Sequence, residues 1–511
     1  MPEHLRALVA ILALAGAVFA CAKAPACAVA TDAGDFARRR GLWFGITLIA
    51  FLAHNYWLFV GAAIALLLHA LSREPNKPAL FFLLLFAVPA IPAEISGFGV
   101  VKYIFSMNYI RLLTLAILLP AFLHLRRQPG VEPLGRPLAD KLMLAYLGLT
   151  VVLAFPIISV TDMIRGTLFY PFVDVFLPYY VFSRSIVTLQ RFRDALAAFA
   201  IAAMVLGAIA SLELAKSWLL YRPLEPALGV PWDYGEYLAR GDSLRALAST
   251  GQPIALGYVM AVATGLYLFV GRSVPDWLAR SAGFALLLAG LFASLSRGPW
   301  VGAAAILLIF FSTGPFAAVR YAKLVLGAAT AAVLLLALPG GQSLIELLPF
   351  VGSVDEGNVV YRHQLLDIAV PLIAQHPFFG SYNFMSSPAM EALRQGQGII
   401  DVVNTYVGIA LNSGIVGVSL FTGFFLVIAA RIYADMRTLR DPDGEHYLLG
   451  RALLATLAGI LIIIFTASSI TVIPVIYWSV AGLGVGYARM LADATAQRVP
   501  QPVAFRPWFA Q

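Results

Sequence analysis

The chain has 511 residues, of which 60% are hydrophobic and only 12% are charged, and its mean hydropathy is +0.84. Soluble domains carry roughly 25% charged residues, so these values exclude an ordinary soluble enzyme and also a disordered or collagen-like chain. The net charge is +8, from 35 Lys and Arg against 27 Asp and Glu. In a membrane protein, Lys and Arg collect at the cytoplasmic ends of helices. The positive charge therefore does not require a nucleic-acid partner, and we predict none.

The N-terminal segment, residues 1–40, leaves three interpretations open. Residues 5–20 are apolar, and both Ala26-Cys27-Ala28 and Ala28-Val29-Ala30 resemble small-residue cleavage sites. A cleaved signal, an additional helix and a translation start placed too far upstream are all compatible with this pattern. Cys21 and Cys27 are the only cysteines, so we expect no disulfide framework, zinc spacing or thiol nucleophile in the rest of the chain.

Fourteen apolar runs follow Arg38 and indicate membrane-spanning helices. A perpendicular crossing needs roughly 20 residues, so the shorter runs at 42–53, 56–71 and 299–313 either extend beyond these bounds or are re-entrant. We therefore predict an all-α polytopic bundle of 12 to 14 spanning helices. An outer-membrane barrel is disfavoured because its strands would alternate apolar and polar residues. The runs lie at about 42–53, 56–71, 79–96, 109–125, 142–158, 167–183, 194–215, 252–271, 281–296, 299–313, 322–338, 404–430, 451–466 and 470–488.

The distribution of Lys and Arg predicts the orientation of the helices. If Arg38-Arg39-Arg40 is inside and the runs alternate, 23 cations lie on inner segments and ten on outer segments or outer helix ends. The C-terminus is then cytoplasmic, and two long loops, 216–251 and 339–403, face outward. We divide the chain into helices 41–244, a motif-bearing region 245–430, helices 431–490 and a cytoplasmic tail 491–511.

Both long loops are expected to be ordered and functional, because long loops in compact domains are uncommon and these contain many apolar residues. The larger loop begins with Pro339-Gly340-Gly341, and its pattern predicts an amphipathic helix over residues 359–375. The smaller loop carries five aromatic residues among four cations: Trp218, Tyr221, Trp232, Tyr234 and Tyr237.

Three arginines are predicted to reach the outer face from separate segments: Arg245, Arg297 and Arg362. Each has an ordinary explanation, since an interfacial Arg can extend to lipid head groups and a loop Arg can be solvated. Together they indicate an electropositive outer cavity for a membrane-bound anion, because guanidinium binds phosphate in a bidentate way. The turn at Gly298-Pro299 would hold Arg297 rigidly.

Further along the chain, His376-Pro377-Phe378-Phe379-Gly380 precedes Asp401-Val402-Val403-Asn404 and then Ser413-Gly414-Ile415-Val416-Gly417. The Pro and Gly residues indicate turns, and Asn404 at the start of an apolar run is also a typical helix cap.

Four elements in this order resemble the O-antigen ligase and polymerase superfamily of bacterial inner membranes. They are Gln252-Pro253-Ile254-Ala255-Leu256-Gly257, then Ser296-Arg297-Gly298, then Tyr361-Arg362 with the His376–Gly380 turn, and finally Asn404-Thr405-Tyr406 with Ser413–Gly417. The resemblance implies a GT-C-like bundle, multi-pass in the inner membrane, with a periplasmic active site. It also implies a donor glycan on undecaprenyl diphosphate, transferred without a metal or cofactor. A flippase and a chain-length regulator are expected as possible partners.

The resemblance assigns Arg297 and Arg362 to the essential arginines that act on the diphosphate. We add Asp401 as the leading candidate for the base that deprotonates the acceptor. Asp355, Glu356, Asp367 and His363 remain alternatives, and a carboxylate paired with an Arg is the ordinary interpretation of Asp401. The expected substrate-binding residues are Arg245, Tyr361, His363, His376 and Asn404.

One departure from the family pattern separates two activities. Ligases that glycosylate lipid A–core carry a His directly before the Asn of the last motif, and here this position is Val403. This favours a polymerase, which joins one lipid-linked oligosaccharide to the next, over a ligase. A transporter of the same lipids is a third possibility, but it would need polar groups near the bilayer midplane. Here the ionisable residues lie mostly at helix ends, with Glu213 an exception.

Overall fold

The computed structural model describes residues 1–97, 99, 103–232, 238–240, 243–337, 356–394 and 400–496. Over these residues the chain is an α-helical bundle with only two small antiparallel strand pairs, which confirms the predicted all-α class. The predicted features at Pro339-Gly340-Gly341, Tyr234, Tyr237 and Asp355 lie outside the described residues, as does most of the predicted tail.

The helices of the first half pack as one bundle, and several are interrupted by wider turns. Segments of π-helix at Thr114–Leu118, Met163–Phe169 and Phe172–Phe176 interrupt the two helical stretches 109–125 and 160–185. The α-helices are α1 (Glu3–Val29), α2 (Ala33–Leu52), α3 (Tyr56–Leu71), α4 (Lys77–Leu84), α5 (Tyr109–Leu113), α6 (Leu119–Leu125), α7 (Leu138–Ala154), α8 (Val160–Asp162), α9 (Leu177–Ser185), α10 (Leu189–Lys216) and α11 (Leu224–Leu228).

The second half contains the helices that carry the sequence motifs. They are α12 (Pro253–Val270), α13 (Trp277–Ala293), α14 (Arg297–Ser312), α15 (Ala317–Ala337), α16 (Glu356–Gln375), α17 (Pro388–Glu391), α18 (Thr405–Arg437), α19 (Glu445–Ile464) and α20 (Ile473–Ala496). Single 3-10 turns lie at Ala248–Thr250, Gly271–Ser273 and Phe384–Ser386. The strands are β1 (Ala93–Ser96), paired with β2 (Tyr103–Met107), and β3 (Ala239–Arg240), paired with β4 (Ser243–Leu244).

Six helices in the described part of the chain are long and apolar enough to cross a membrane. They are Glu3–Val29, Leu189–Lys216, Pro253–Ser273, Thr405–Arg437, Glu445–Ile464 and Ile473–Ala494. Shorter apolar helices lie at Tyr56–Leu71, Tyr109–Leu125, Trp277–Ala293 and Arg297–Ser312. The chain is therefore a polytopic membrane protein, and the number of 12 to 14 crossings stays a prediction.

One of the fourteen apolar runs does not form the helix that its hydropathy suggests. Residues 79–96 begin in α4, but this helix ends at Leu84 and the chain continues as turns and then as β1. Pro89 and Pro92 explain the difference, because proline lacks the N–H that a helix interior needs and disfavours helical geometry in the residue before it. The first segment, by contrast, forms α1, which buries Ile11 and Phe19.

The helices α13, α14 and α19 define two ends of the bundle. The helices α14 and α19 approach closely where Gly302 and Gly459 face each other, because a Cβ atom on either glycine would overlap an isoleucine of the other helix. At one end, called the loop end here, α13 leads into α14 through Ser296, and α19 ends near Thr466. The other end, called the opposite end, contains the start of α13 and of α19.

Arginines at the opposite end are buried against carboxylates. Arg39 is 3% exposed and bonds both Glu74 and Asp194, with its Nη1 atom 2.6 Å from Asp194 Oδ1. Arg184 is 2% exposed and donates from Nη1 to Asp140 Oδ1 at 3.1 Å. Such pairs hold helix ends together, since losing one partner would leave a buried charge uncompensated.

Candidate functional site

The start of α14 brings two of the predicted arginines together. Leu295 has a φ of 45°, a left-handed conformation that is uncommon for leucine, and it turns the chain sharply between α13 and α14. Arg297 is then the first residue of α14. Arg245 Nη2 donates to Ser296 Oγ at 2.8 Å, and its Nε donates to the Ser294 carbonyl at 3.4 Å. Arg245 is therefore held beside the turn that carries Arg297.

A buried carboxylate positions the segment that carries Arg245. Glu213, near the end of α10, is 1% exposed. Its Oε2 atom accepts hydrogen bonds from the N–H groups of Leu247 at 3.0 Å and Ala248 at 2.8 Å, and Oε1 accepts from Leu220. These three N–H donors satisfy a carboxyl group that would be costly to bury without partners. The sequence pattern marks Glu213 as an exceptional ionisable residue in a helix, but it does not predict these backbone partners.

Arg362 reaches the same end of the bundle from the long loop. Its Nη2 atom donates to the carbonyl of Thr466, just beyond the end of α19, at 3.0 Å. The side chain of Thr466 packs directly on Gly298, so closely that a Cβ atom at position 298 would overlap it. The turn at 466 therefore lies between Arg362 and the residue that follows Arg297. The start of α14, which carries Arg297, thus lies beside Arg245 on one side and beside the turn that holds Arg362 on the other, although the three arginines are far apart in sequence.

Asp401 lies next to these arginines, and hydrogen bonds hold both its backbone and its side chain. The Tyr361 hydroxyl donates to the Asp401 carbonyl at 2.9 Å and accepts from the Asp401 N–H at 3.1 Å. The carboxylate accepts a hydrogen bond from Ser468 Oγ. Tyr361, predicted to bind substrate, thus fixes the backbone of the predicted base.

Burial raises the pKa of the Asp401 carboxyl above its ordinary value, and the Ser468 hydrogen bond and the charge of Arg362 oppose this effect. Burial likewise lowers the pKa of the Arg362 guanidinium, and the charge of Asp401 acts in the other direction. The two groups are thus electrostatically coupled. A raised pKa makes a carboxylate a stronger base, which suits proton abstraction from a hydroxyl.

Asn404 takes the capping role that sequence alone left as one of two possibilities. Its Oδ1 atom accepts from the N–H groups of Tyr406 at 3.0 Å and Val407 at 3.2 Å, at the start of α18. The next residue, Thr405, bonds the carbonyl of Ala467 through both its N–H and its hydroxyl. The start of α18 is therefore tied to the same turn, 466–468, that contacts Arg362 and Asp401.

The His376–Gly380 motif and the Ser413–Gly417 motif pack against each other. The N–H of Ile415 donates to the Pro377 carbonyl at 2.9 Å, and the N–H of Ser381 donates to the Leu411 carbonyl at 2.7 Å. At the contact, Gly380 and Gly414 both have positive φ, and a Cβ atom on either would overlap the other segment. Gly414 interrupts α18, and Gly380 lets the loop dock against this interruption, which is a structural role for both motifs.

Two predicted substrate-binding residues have no described contact with the turn at 466–468. The side chains of His363 and His376 are exposed. Asp367, an alternative base, is also exposed. The side chain of Glu356 and the whole of Asp355 lie outside what the structure describes. Among the candidate bases described here, Asp401 is the one that contacts the turn at 466–468.

Val403 belongs to a small apolar core within the long loop. Leu365, Met390 and Leu393 are buried together, and Val403 packs against them with other apolar side chains. The position directly before Asn404 is therefore occupied by a side chain that contributes packing. In the described residues no three His, Cys, Asp or Glu side chains come together as metal ligands would.

Comparison with known proteins supports the resemblance derived from the motifs. A family model described as O-antigen ligase matches residues 282–422. The matched span contains Arg297, Arg362, Asp401 and Asn404, and the match confirms the resemblance to the O-antigen ligase and polymerase superfamily. No curated protein matches the chain.

Proposed function

We propose that this polytopic protein, whose residues 282–422 match the O-antigen ligase family, is a polysaccharide polymerase of the bacterial inner membrane. It would join undecaprenyl-diphosphate-linked oligosaccharides on the periplasmic side, within a GT-C-like bundle and without a metal. The observation that carries the proposal is the convergence on the turn at 466–468. Arg362, Asp401 and the start of α14 all contact this turn.

The arginines would act on the leaving group. Sugar transfer breaks the bond between the anomeric carbon and the diphosphate oxygen, so negative charge grows on the diphosphate in the transition state. Preorganised cations at that position lower the barrier. Arg297 and Arg362 supply two planar guanidinium groups, and the first turn of α14 adds the positive end of its dipole. Arg245 would support Arg297 through Ser296.

Asp401 would accept the proton of the acceptor. The hydroxyl oxygen of the acceptor sugar attacks the anomeric carbon, its proton passes to the Asp401 carboxylate, and the lipid diphosphate departs with the bonding electron pair. The carboxylate has a raised pKa because it is buried. Tyr361 would position Asp401 through the two hydrogen bonds to its backbone.

Two observations favour different acceptors. Val403 packs in an apolar core, where family ligases carry a His, and this favours a polymerase with a second lipid-linked oligosaccharide as acceptor. The description of the matching family favours the alternative, a ligase that transfers the glycan to lipid A–core. Both activities would use the same donor and the same arginines.

Reconstitution of the purified chain with one lipid-linked repeat unit separates these functions. A polymerase produces a ladder of longer lipid-linked chains, and the ladder persists with a chelator present. Arg362→Ala should abolish it. Arg394→Ala is the matched control, because Arg394 lies on the same loop, is exposed and is paired with Glu391. Transfer to lipid A–core without a ladder would identify a ligase. Movement of lipid-linked sugar across proteoliposomes without either product would identify a transporter.

The proposed orientation has a separate test. Both native cysteines are replaced by serine, and a single cysteine is placed at Ser386 in the long loop or at Thr438 after α18, positions that are both exposed. An impermeant thiol reagent added to spheroplasts should label position 386 and not position 438. Labelling of position 438 alone would reverse the orientation and exclude a periplasmic site.

A further inference from the structure

A cavity of about 400 Å³ lies at the opposite end of the bundle, far from the candidate site. Its walls come from the ends of α12, α13, α14, α15 and α19. Five cationic side chains and one carboxylate line it: Arg272, Arg280, Arg320, Lys323, Arg451 and Asp443. Apolar side chains, including Phe284 and Phe311, complete the walls. The charged groups lining the cavity thus carry a net charge of +4.

Arg451 forms the closed end of this cavity. It is only 2% exposed. Its Nε atom donates to the Phe310 carbonyl at 3.2 Å, and the guanidinium carbon lies 4.2 Å from the centroid of the Phe310 ring. Gly314 lies between Arg451 and Arg320, and a Cβ atom at this glycine would overlap both guanidinium groups. Two like charges are therefore held close together in a largely buried place.

This arrangement differs from the other buried arginines at the same end. Arg39 and Arg184 each contact a carboxylate directly. Within the described part of the chain, Arg451 and Arg320 form no ion pair within 4.0 Å, although Asp443 lines the cavity. Burying like charges without a counter-ion is costly, so a bound anion would stabilise this end of the bundle.

We propose that the cavity binds the phosphate group of an anionic phospholipid. Clustered guanidinium groups match the geometry of phosphate oxygens, and basic pockets between the ends of transmembrane helices are typical sites for anionic lipid head groups. The aromatic walls provide an apolar surface next to the cations for the glycerol and the first part of an acyl chain. A water-soluble phosphate shares the same chemistry and is distinguished by the experiment.

The site would connect to the candidate active site through two helices. Arg451 lies in α19 and Phe310 in α14, and the other ends of these helices bring Thr466 and Gly298 into contact. A bound phosphate would hold α15 and α19 together beside the end of α14, where Arg451 and Arg320 otherwise repel each other. Lipid binding itself does not depend on the proposed glycosyl transfer and is measured without it.

The test uses the full chain in detergent and follows its melting temperature as lipid is added. Phosphatidylglycerol should raise the melting temperature more than phosphatidylcholine does, because the zwitterionic head group brings its own cation. The double variant Arg320→Gln/Lys323→Gln removes one half-buried and one exposed cation. It leaves the buried Arg451 in place, so the variant should fold. Its half-saturating phosphatidylglycerol concentration should rise about 25-fold, since each lost charge should weaken binding about fivefold.

The matched control is Arg431→Gln on α18, because Arg431 is exposed and paired with Asp435. It should keep the wild-type response to phosphatidylglycerol. Inorganic phosphate, added alone, should give no shift at millimolar concentration. If it gives the full shift, the lipid assignment is wrong and the ligand is water-soluble. An unchanged response in the double variant, or equal shifts with both lipids, would overturn the site.

Discussion

Two arginines at different ends of the bundle, Arg184 and Arg362, have opposite kinds of hydrogen-bond partner. At the opposite end, Arg184 is buried and its guanidinium contacts the fully buried carboxylate of Asp140. At the loop end, Arg362 is half-buried and its hydrogen bond goes to a neutral carbonyl of Thr466. A carboxylate partner neutralises the charge and makes an arginine structural, whereas a carbonyl orients the guanidinium and leaves its charge available for an anion. The presence of an arginine alone therefore does not identify an anion-binding site. The atom that accepts its hydrogen bond, a carboxylate or a carbonyl oxygen, is the more informative feature.

The largest effect is expected when the buried pair is broken. Arg184→Ala leaves Asp140 buried, and among the described residues its remaining partners are the Tyr179 hydroxyl and the Gly135 N–H. This should lower the free energy of unfolding by about 3–5 kcal/mol, because an uncompensated buried charge is costly. The melting temperature in detergent and the yield of folded protein measure it. Wild-type stability in this variant would mean that the pair is not structural, and Arg394→Ala should leave stability unchanged.

At the loop end the effect should appear in activity and not in folding. Arg362→Ala is expected to lower the rate of chain extension by about 100- to 1,000-fold, because a cation at the leaving diphosphate is lost. Arg362→Lys should recover little of this, since an ammonium cannot form the planar bidentate contact. The melting temperature of both variants should stay near that of the wild type. A large fall in melting temperature with Arg362→Ala would contradict the comparison between the two ends.

Asp401 should control the acid side of the pH profile. Burial raises its pKa, so the carboxylate becomes protonated at a higher pH than an ordinary aspartate. Activity should therefore fall as the pH decreases through this raised pKa. Asp401→Asn should lower the rate by about 100-fold and abolish this acid limb. Asp367→Asn on the same loop is the control, because Asp367 is exposed. An unchanged pH profile in Asp401→Asn would remove this residue as the base.

The smallest effect concerns Asn404, which caps α18. Asn404→Ala should lower stability by about 1 kcal/mol. Asn404→Ser keeps a capping oxygen and should retain both stability and activity. Thermal unfolding and the ladder assay on the two variants separate capping from substrate binding. A folded but inactive Asn404→Ser would assign Asn404 to the substrate.

The sequence predicted features that depend on local pattern. The helical class and the loop helix now seen at Glu356–Gln375 followed from hydropathy and periodicity. The outward position of Arg245, Arg297 and Arg362 stays a prediction. The helix proposed over 79–96 was wrong because two prolines outweigh hydropathy there. Contacts between distant segments could not be predicted. The bonds of Glu213 to Leu247 and Ala248, and the meeting of Arg362 with Thr466, depend on how helices pack.

The most direct measurement of the central claim is a double-mutant cycle on the binding of undecaprenyl diphosphate, the proposed leaving group. The affinities of the wild type, Arg297→Ala, Arg362→Ala and the double variant are compared by titration in detergent. If both arginines hold one diphosphate, each single variant binds more weakly, and the two effects are non-additive by about 0.5–3 kcal/mol. Unchanged affinity in either single variant, or strictly additive losses, would contradict a shared diphosphate site at the loop end.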